Sequence, residues 1–462
     1  MTLATEGVDY RRNRPKSHHN PVGQLTRESG LHRNHPGEAP GSAVPAAVIA
    51  RREHMKRRTV ALASIVLVVA ACANAAAPST PAPMVSTPGA APTTAGSASA
   101  PSTSPWPTQI PAGPDVSLAG LTDPAHGWAV SGQRLQVTAD GGSTWRDVTP
   151  PGGFATADAD RLLGVDFVDA QHGWVAISEA FTSGSDASYG RVDIWRTTDG
   201  GRTWAKTQLP RARFAVFGEI MPAVQFDFLD ATHGFAFQSG NEAKGKNDSD
   251  LFWTADGGAT WSADRPTGDG SQANEGMIGF STPTDGVIVG TMRGNGIAVT
   301  HDGGRTWNDA ALAMPSGASG AQLLFGQPVH LDGRSGLVIV DFQADSGSVF
   351  HVYRTPDAGS SWTLAASLPS GVSTVAVLDA QRWIGADGAG MAVTLDGGGS
   401  WVRSSAVGLP GAPELLQMAD SQRGWAHVRM NVCLDVKSNC SSRTGLYATV
   451  DGGSTWTQLR PE

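Results

Sequence analysis

Thr138-Ala139-Asp140-Gly141-Gly142-Ser143-Thr144-Trp145 is a run of turn-forming residues closed by the bulkiest side chain available to a protein. Its pattern, Thr-x-Asp-x-Gly-x-Thr/Ser-Trp, returns at Thr197–Trp204, Thr254–Trp261, Thr300–Trp307, Thr355–Trp362, Thr394–Trp401 and Thr449–Trp456. The aspartates are Asp140, Asp199, Asp256, Asp302, Asp357, Asp396 and Asp451, and the tryptophans Trp145, Trp204, Trp261, Trp307, Trp362, Trp401 and Trp456. Neighbouring copies stand about 52 residues apart, a period that suits one four-stranded propeller blade.

Each octet reads as a hairpin turn. The Asp carboxylate can accept N–H bonds from the loop that follows it. The fifth-position glycine can take φ > 0 without Cβ strain. The closing Trp can bury its ring between adjacent sheets while its indole N–H finds a partner. Short strands flank the turn, such as Arg134-Leu135-Gln136-Val137 before it and Trp145-Arg146-Asp147-Val148 after it. A second motif precedes each octet: DPAHGW at Asp123–Trp128, DAQHGW at Asp169–Trp174 and DATHGF at Asp230–Phe235. It weakens to TDGV (Thr284–Val287), RSGL (Arg334–Leu337), AQRW (Ala380–Trp383) and SQRGW (Ser421–Trp425). The unit is strand, turn, strand, loop, strand, octet, strand. Seven such units predict an all-β fold, one seven-bladed β-propeller of four-stranded antiparallel blades over residues 115–462.

Composition agrees. Glycine (57) and proline (29) are abundant, as a fold built on turns requires. Three cysteines cannot make a disulfide scaffold or a four-cysteine zinc cage. The net charge of -8 is no footprint for nucleic acid, and no metal or cofactor is expected.

Charge divides the chain. Residues 1–114 hold 11 basic and 5 acidic side chains, whereas 115–462 hold 23 and 37. Lys56-Arg57-Arg58 precede an apolar run, Val60 to Ala71, that ends at Cys72. A basic patch, a short apolar core and a small-residue exit are the parts of a secretory signal. The run is short for a membrane span, which needs about 20 apolar residues. Val69-Ala70-Ala71-Cys72 resembles the bacterial lipobox, which implies acylation of Cys72 and an anchor on the extracytoplasmic face of the cell membrane. An uncleaved signal anchor is the alternative, and it leaves the C-terminal mass outside the cytoplasm too. Met55 is read as the true initiator of a signal peptide over 55–72. Residues 1–54 are then a mis-assigned start or, alternatively, a disordered cytoplasmic extension. Residues 73–114, 42 uncharged residues rich in Ala, Pro, Ser and Thr, read as a disordered linker spanning roughly 35–40 Å as a coil.

The octet resembles the Asp box, or BNR repeat, of sialidase-like propellers. With the His-Gly-Trp motif, the pattern is most similar to the photosystem II assembly and stability factor propellers and their bacterial relatives. The resemblance covers 115–462. It implies a seven-bladed ring with the Asp boxes far from the central ligand face. It implies no activity, because propellers with these boxes include enzymes, receptors and assembly factors.

The boxes themselves are read as structural, with no catalytic residue assigned. Cys433 and Cys440 are expected to form a disulfide bracing a hairpin loop, worth roughly 2–3 kcal/mol on a loop-closure argument. Candidate binding residues lie where loops depart from the repeat: Arg211, Arg213, Phe214, Phe217 and Glu219 between blades 2 and 3, Tyr189 in blade 2, Lys244 and Lys246 in blade 3, and Arg429 in blade 7. Guanidinium groups beside aromatics are enriched at binding hot spots. The expected role is a monomeric, membrane-anchored binding or scaffold protein, meeting a protein or envelope glycan and serving as an assembly factor. The alternative is an exo-sialidase or other glycoside hydrolase. It would need a tyrosine nucleophile, and Tyr353 and Tyr447 have the spacing of packing residues.

Overall fold

The computed structural model describes residues 112–156, 159–160, 162–178, 192–210, 224–239, 249–262, 265–266, 277–290, 296–315, 321–344, 347–433 and 440–461. Residues 1–111, Cys72 among them, lie outside the described residues. Every regular element among the described residues is a β-strand. The strands form seven antiparallel meanders, each cut from one contiguous stretch of chain. The innermost strands are Val116–Leu121, Leu162–Phe167, Val224–Phe228, Met277–Phe280, Gln322–Phe325 with Val329–His330, Thr374–Val377 and Leu415–Met418.

The core sits between sheets rather than within one. Alternate residues of a strand face opposite neighbours. In the second blade Val175 and Ile177 join the core shared with blade 1, and Trp174 and Ala176 the core shared with blade 3. Such a cluster fills each of the seven blade boundaries. The last, containing Val116, Ala129, Trp425, Leu446 and Leu459, packs blade 7 on blade 1 and closes the ring. Among the described residues no strand is exchanged there. The closure is held by side chains: Gln417 Oε1 accepts the Leu121 amide at 3.0 Å, Asp115 Oδ1 the Thr444 amide at 2.8 Å, and His427 Nε2 donates to Val116 O at 2.6 Å. The architecture is a seven-bladed β-propeller.

The octets behave as their residues dictate. In all seven, the first Thr hydroxyl donates to Asp Oδ1 at 2.8–2.9 Å, and the amide of the seventh residue does so at the same distance. The seventh-residue hydroxyl donates to the other carboxylate oxygen at 2.6–2.7 Å. Not only the fifth residue but also the fourth takes positive φ, from Gly141 (72°) to Gly452 (72°). In blade 5 the fourth residue is Ala358, at φ 56°. The indole N–H of Trp145, Trp362 and Trp456 donates to the carbonyl of its own octet's fifth residue, and that of Trp204 to Val148 O. Those of Trp261, Trp307 and Trp401 meet no acceptor among the described residues.

Two blades depart from the repeat. In blade 5 the inner strand is split around Gly326-Gln327-Pro328, and Ala311–Leu312 pairs in parallel with the outer strand Ser361–Ser367. In blade 6 the AQRW motif is shifted by one place against the others. Elsewhere a glycine faces the last inner-strand residue, as Gly173 faces Phe167 and Gly234 faces Phe228. In blade 6 that place holds Trp383, opposite Val377. Large and small have exchanged sides, so Trp383 replaces the glycine of the motif, not its aromatic residue.

Candidate functional site: the variable face and the central channel

The two ends of the blades differ in kind. At one end, every connection from first to second strand is five residues long: 122–126, 168–172, 229–233, 281–285, 331–335, 378–382 and 419–423. In six of them an Asp caps the turn, as Asp123 Oδ1 does by accepting the amides of Ala125 (2.8 Å) and His126 (2.9 Å). An amide of the octet then bonds to a carbonyl of this turn, Gly141 to Ala125 in blade 1 and Gly452 to Gln422 in blade 7, at 2.7–2.8 Å in all seven. One face of the ring is thus a repeated, locked structure. A cleft of about 330 Å³ on it, between blades 1 and 2, is lined by His126, Asp169 and Arg202, and Arg146 crosses it to reach Gly200 O at 2.6 Å.

At the other end the second-to-third strand connection runs from two residues in blade 1 (132–133) through four in blade 6 (387–390) to nine in blade 3 (240–248) and thirteen in blade 2 (179–191). The paired strands lengthen to nine residues in blade 5 (Gly336–Ala344, Gly347–Thr355) and ten in blade 7 (Gly424–Cys433, Cys440–Thr449). A fold that needs seven equal turns on one side tolerates connections of very different length on the other.

Of the candidate binding residues, Arg429 is described: its Nε donates to Glu414 Oε1 at 2.6 Å. Arg211, Arg213, Phe214, Phe217, Glu219, Tyr189, Lys244 and Lys246 lie outside the described residues. Cys433 and Cys440 are direct cross-strand partners at the tip of the blade 7 hairpin.

The channel holds what the sequence reading missed. Inner strands have one edge without a neighbouring strand, so their amides need other acceptors. Side chains of the preceding blade supply them. Asp227 Oδ2 accepts the Phe280 amide at 2.6 Å, and Gln225 Oε1 the Ile278 amide at 2.9 Å. Gln225 and Gln327 both donate to Ile278 O, at 3.0 and 2.9 Å. Asp166 stands one blade before Asp227, bonded to the amides of Phe167 and Phe228. Both carboxyls border the channel yet are ringed by protein. Burial pushes each up to about 7, and the neighbouring Asp166 adds to the rise at Asp227. The only sequence signal was an acid inside a largely apolar strand, LGVDF and VQFDF.

The two described tyrosines of the blades are packing residues. Tyr353 is fully buried, its hydroxyl donates to Ala313 O at 2.9 Å, and burial raises it to about 12. Tyr447 is buried beside Met430. No group of three or more His, Cys, Asp or Glu able to hold a metal occurs among the described residues.

Comparison with known proteins adds no family. No protein-family model matches the chain, and no curated protein matches it. Among solved structures it is similar to the GH74 xyloglucanase of Xanthomonas campestris (14% identity over 74% of this chain, TM-score 0.27). It is also similar to a GH93 α-L-arabinofuranosidase of Fusarium graminearum (10% over 71%, 0.37) and a puromycin-hydrolyzing peptidase of Mycobacterium tuberculosis (14% over 77%, 0.43). The chain spans 55% of the xyloglucanase, 89% of the arabinofuranosidase and 55% of the peptidase. At these identities the likeness extends to no particular residue.

Proposed function

We propose that this is a binding protein of the cell envelope, tethered through Cys72 and the 73–114 linker, whose variable face meets a protein or glycan partner. One observation carries the reading: seven turns of equal length on one face and connections of two to thirteen residues on the other. Selection for folding alone gives no reason to lengthen blades 2, 3, 5 and 7 in particular. The sequence places Arg211, Arg213, Phe214 and Phe217 in connections of that face, and a basic cluster on an acidic body suits an acidic partner. The tether supports an extracytoplasmic address, and an assembly role fits a rigid ring presenting loops. The test is a crosslinking pull-down from the native envelope. Charge reversal of Arg211 and Arg213 is expected to abolish capture of the partner, and full retention of that partner refutes the assignment.

Glycoside hydrolysis is the second reading. In its favour are two neighbouring channel carboxyls raised to about 7, a pattern that suits acid/base work. Both are spent on backbone amides of the next blade, which favours stitching. Release of a fluorogenic sugar leaving group, lost in Asp166→Asn and Asp227→Asn, would establish it.

A further inference from the structure

Blade 4 departs from the repeat at two places at once. The last residue of the first-to-second strand turn is His126, His172, His233, Ser335, Arg382 or Arg423 in the other blades, but Asp285 in blade 4. The second octet position is Ala139, Thr198, Ala255, Pro356, Leu395 or Val450 elsewhere, but His301 in blade 4. The two substitutions meet. His301 Nδ1 lies 2.8 Å from Asp285 Oδ1, and its Nε2 lies 2.9 Å from Ser360 Oγ on the octet of blade 5. His301 is 46% exposed and Asp285 27%, so the group opens to solvent on the locked face.

We propose that Asp285, His301 and Ser360 form an acyl-accepting serine site. Asp285 holds the Nδ1–H tautomer, which leaves Nε2 bare to take the Ser360 proton. Ser360 Oγ attacks the carbonyl carbon of an ester, forming an Oγ–acyl bond as the carbon–alkoxide bond breaks. The proton passes from Oγ to Nε2 and then to the departing alkoxide, which leaves as the alcohol. Water repeats the route, releasing the carboxylic acid and restoring the serine.

The turn also limits the substrate. The amides of Gly359, Ser360 and Ser361 are committed to Thr355 Oγ1 (2.9 Å), Asp357 O (3.3 Å) and Asp357 Oδ1 (2.9 Å). None is left to hold an oxyanion, the largest electrostatic aid to acyl transfer. The substrates are therefore esters with good leaving groups and similarly reactive phosphonyl electrophiles. The competing arrangement is a rim staple, in which Ser360 donates its hydroxyl to Asp357 O at 3.1 Å and imidazolium donates to both neighbours. Ser143 and Ser454 make that same carbonyl bond, at 3.1 and 3.2 Å, with no imidazole bonded to either. They are built-in controls.

The experiment treats the full chain with a fluorophosphonate probe and with p-nitrophenyl acetate, and maps the adducts by peptide mass spectrometry. Ser360 is expected to be labelled and Ser143 and Ser454 spared, with labelling at least about tenfold slower in His301→Ala, as loss of a general base requires. The preference for Ser360 over Ser143 and Ser454 within the wild type is a readout independent of any variant's folding. Equal labelling of the three serines, absence of a Ser360 adduct, or a Ser360 rate indifferent to His301→Ala would each overturn the proposal.

Discussion

Asp227 of blade 3 holds the Phe280 amide of blade 4 at 2.6 Å, so a titratable group closes a hydrogen bond between two sheets. Its pKa, and that of Asp166, stand near 7 against an unfolded value near 3.8. Between those values the folded chain binds more protons than the unfolded one. The contribution of these groups to stability is therefore full below about pH 4 and lost as pH rises toward 7. Asp227→Asn keeps an acceptor oxygen and removes the titration. The urea midpoint of this variant is expected to gain on wild type as pH goes from 5 to 8. A constant difference across that range would contradict the buried-proton account.

The octets carry the opposite sign. Amide and hydroxyl bonds from Thr144, Thr203 and Ser400 hold Asp140, Asp199 and Asp396 at about 2. A depressed folded pKa gives stability that is present above about 3.8 and lost as pH falls toward 2. Asp199→Asn is expected to be less stable than wild type at pH 7 and nearly equal to it at pH 2, read by chemical denaturation at both.

Ala358 stands alone among the described residues as a non-glycine with positive φ, at 56°, where six other octets have glycine. A left-handed conformation costs an L-residue roughly 1–2 kcal/mol. Ala358→Gly is expected to stabilise the protein by about 1 kcal/mol after the entropy of glycine is deducted. A lower denaturation midpoint in the variant would show that the strain is not there.

Gly173 lies under the Phe167 ring, where an added Cβ has no room. Gly173→Ala is expected to cost about 1–3 kcal/mol, the range for overpacking a filled core. The check is a shift of denaturation midpoint with the slope unchanged. Blade 6 solves the same position with Trp383 over Val377.

Much of this was legible in the residues because a repeated turn must use the same few chemistries each time. Thr138, Asp140 and Trp145 announce a hairpin, and seven copies announce a ring. What escaped was carried by single departures. Asp166 and Asp227 read as isolated acids until neighbouring blades are set side by side. Trp383 looked like the motif's aromatic because a one-place shift is invisible without strand pairing. Asp285 and Ser360 are 75 residues apart in sequence and meet through His301 only when blades 4 and 5 adjoin.

Cys433 and Cys440 are paired in the register of the blade 7 hairpin. In protein purified from an oxidising compartment, unreduced peptide mapping is expected to recover one linked peptide. Alkylation of both thiols before reduction would contradict the pairing.

The central claim is that the face with unequal connections does the binding and the face of octets does the folding. Crosslinking mass spectrometry of the protein in its native envelope tests this most directly. Partner crosslinks are expected from residues 179–191, 211–223, 240–248 and 434–439, and none from the turns at 122–126 and their six counterparts. Crosslinks concentrated on the octet face instead would contradict the account.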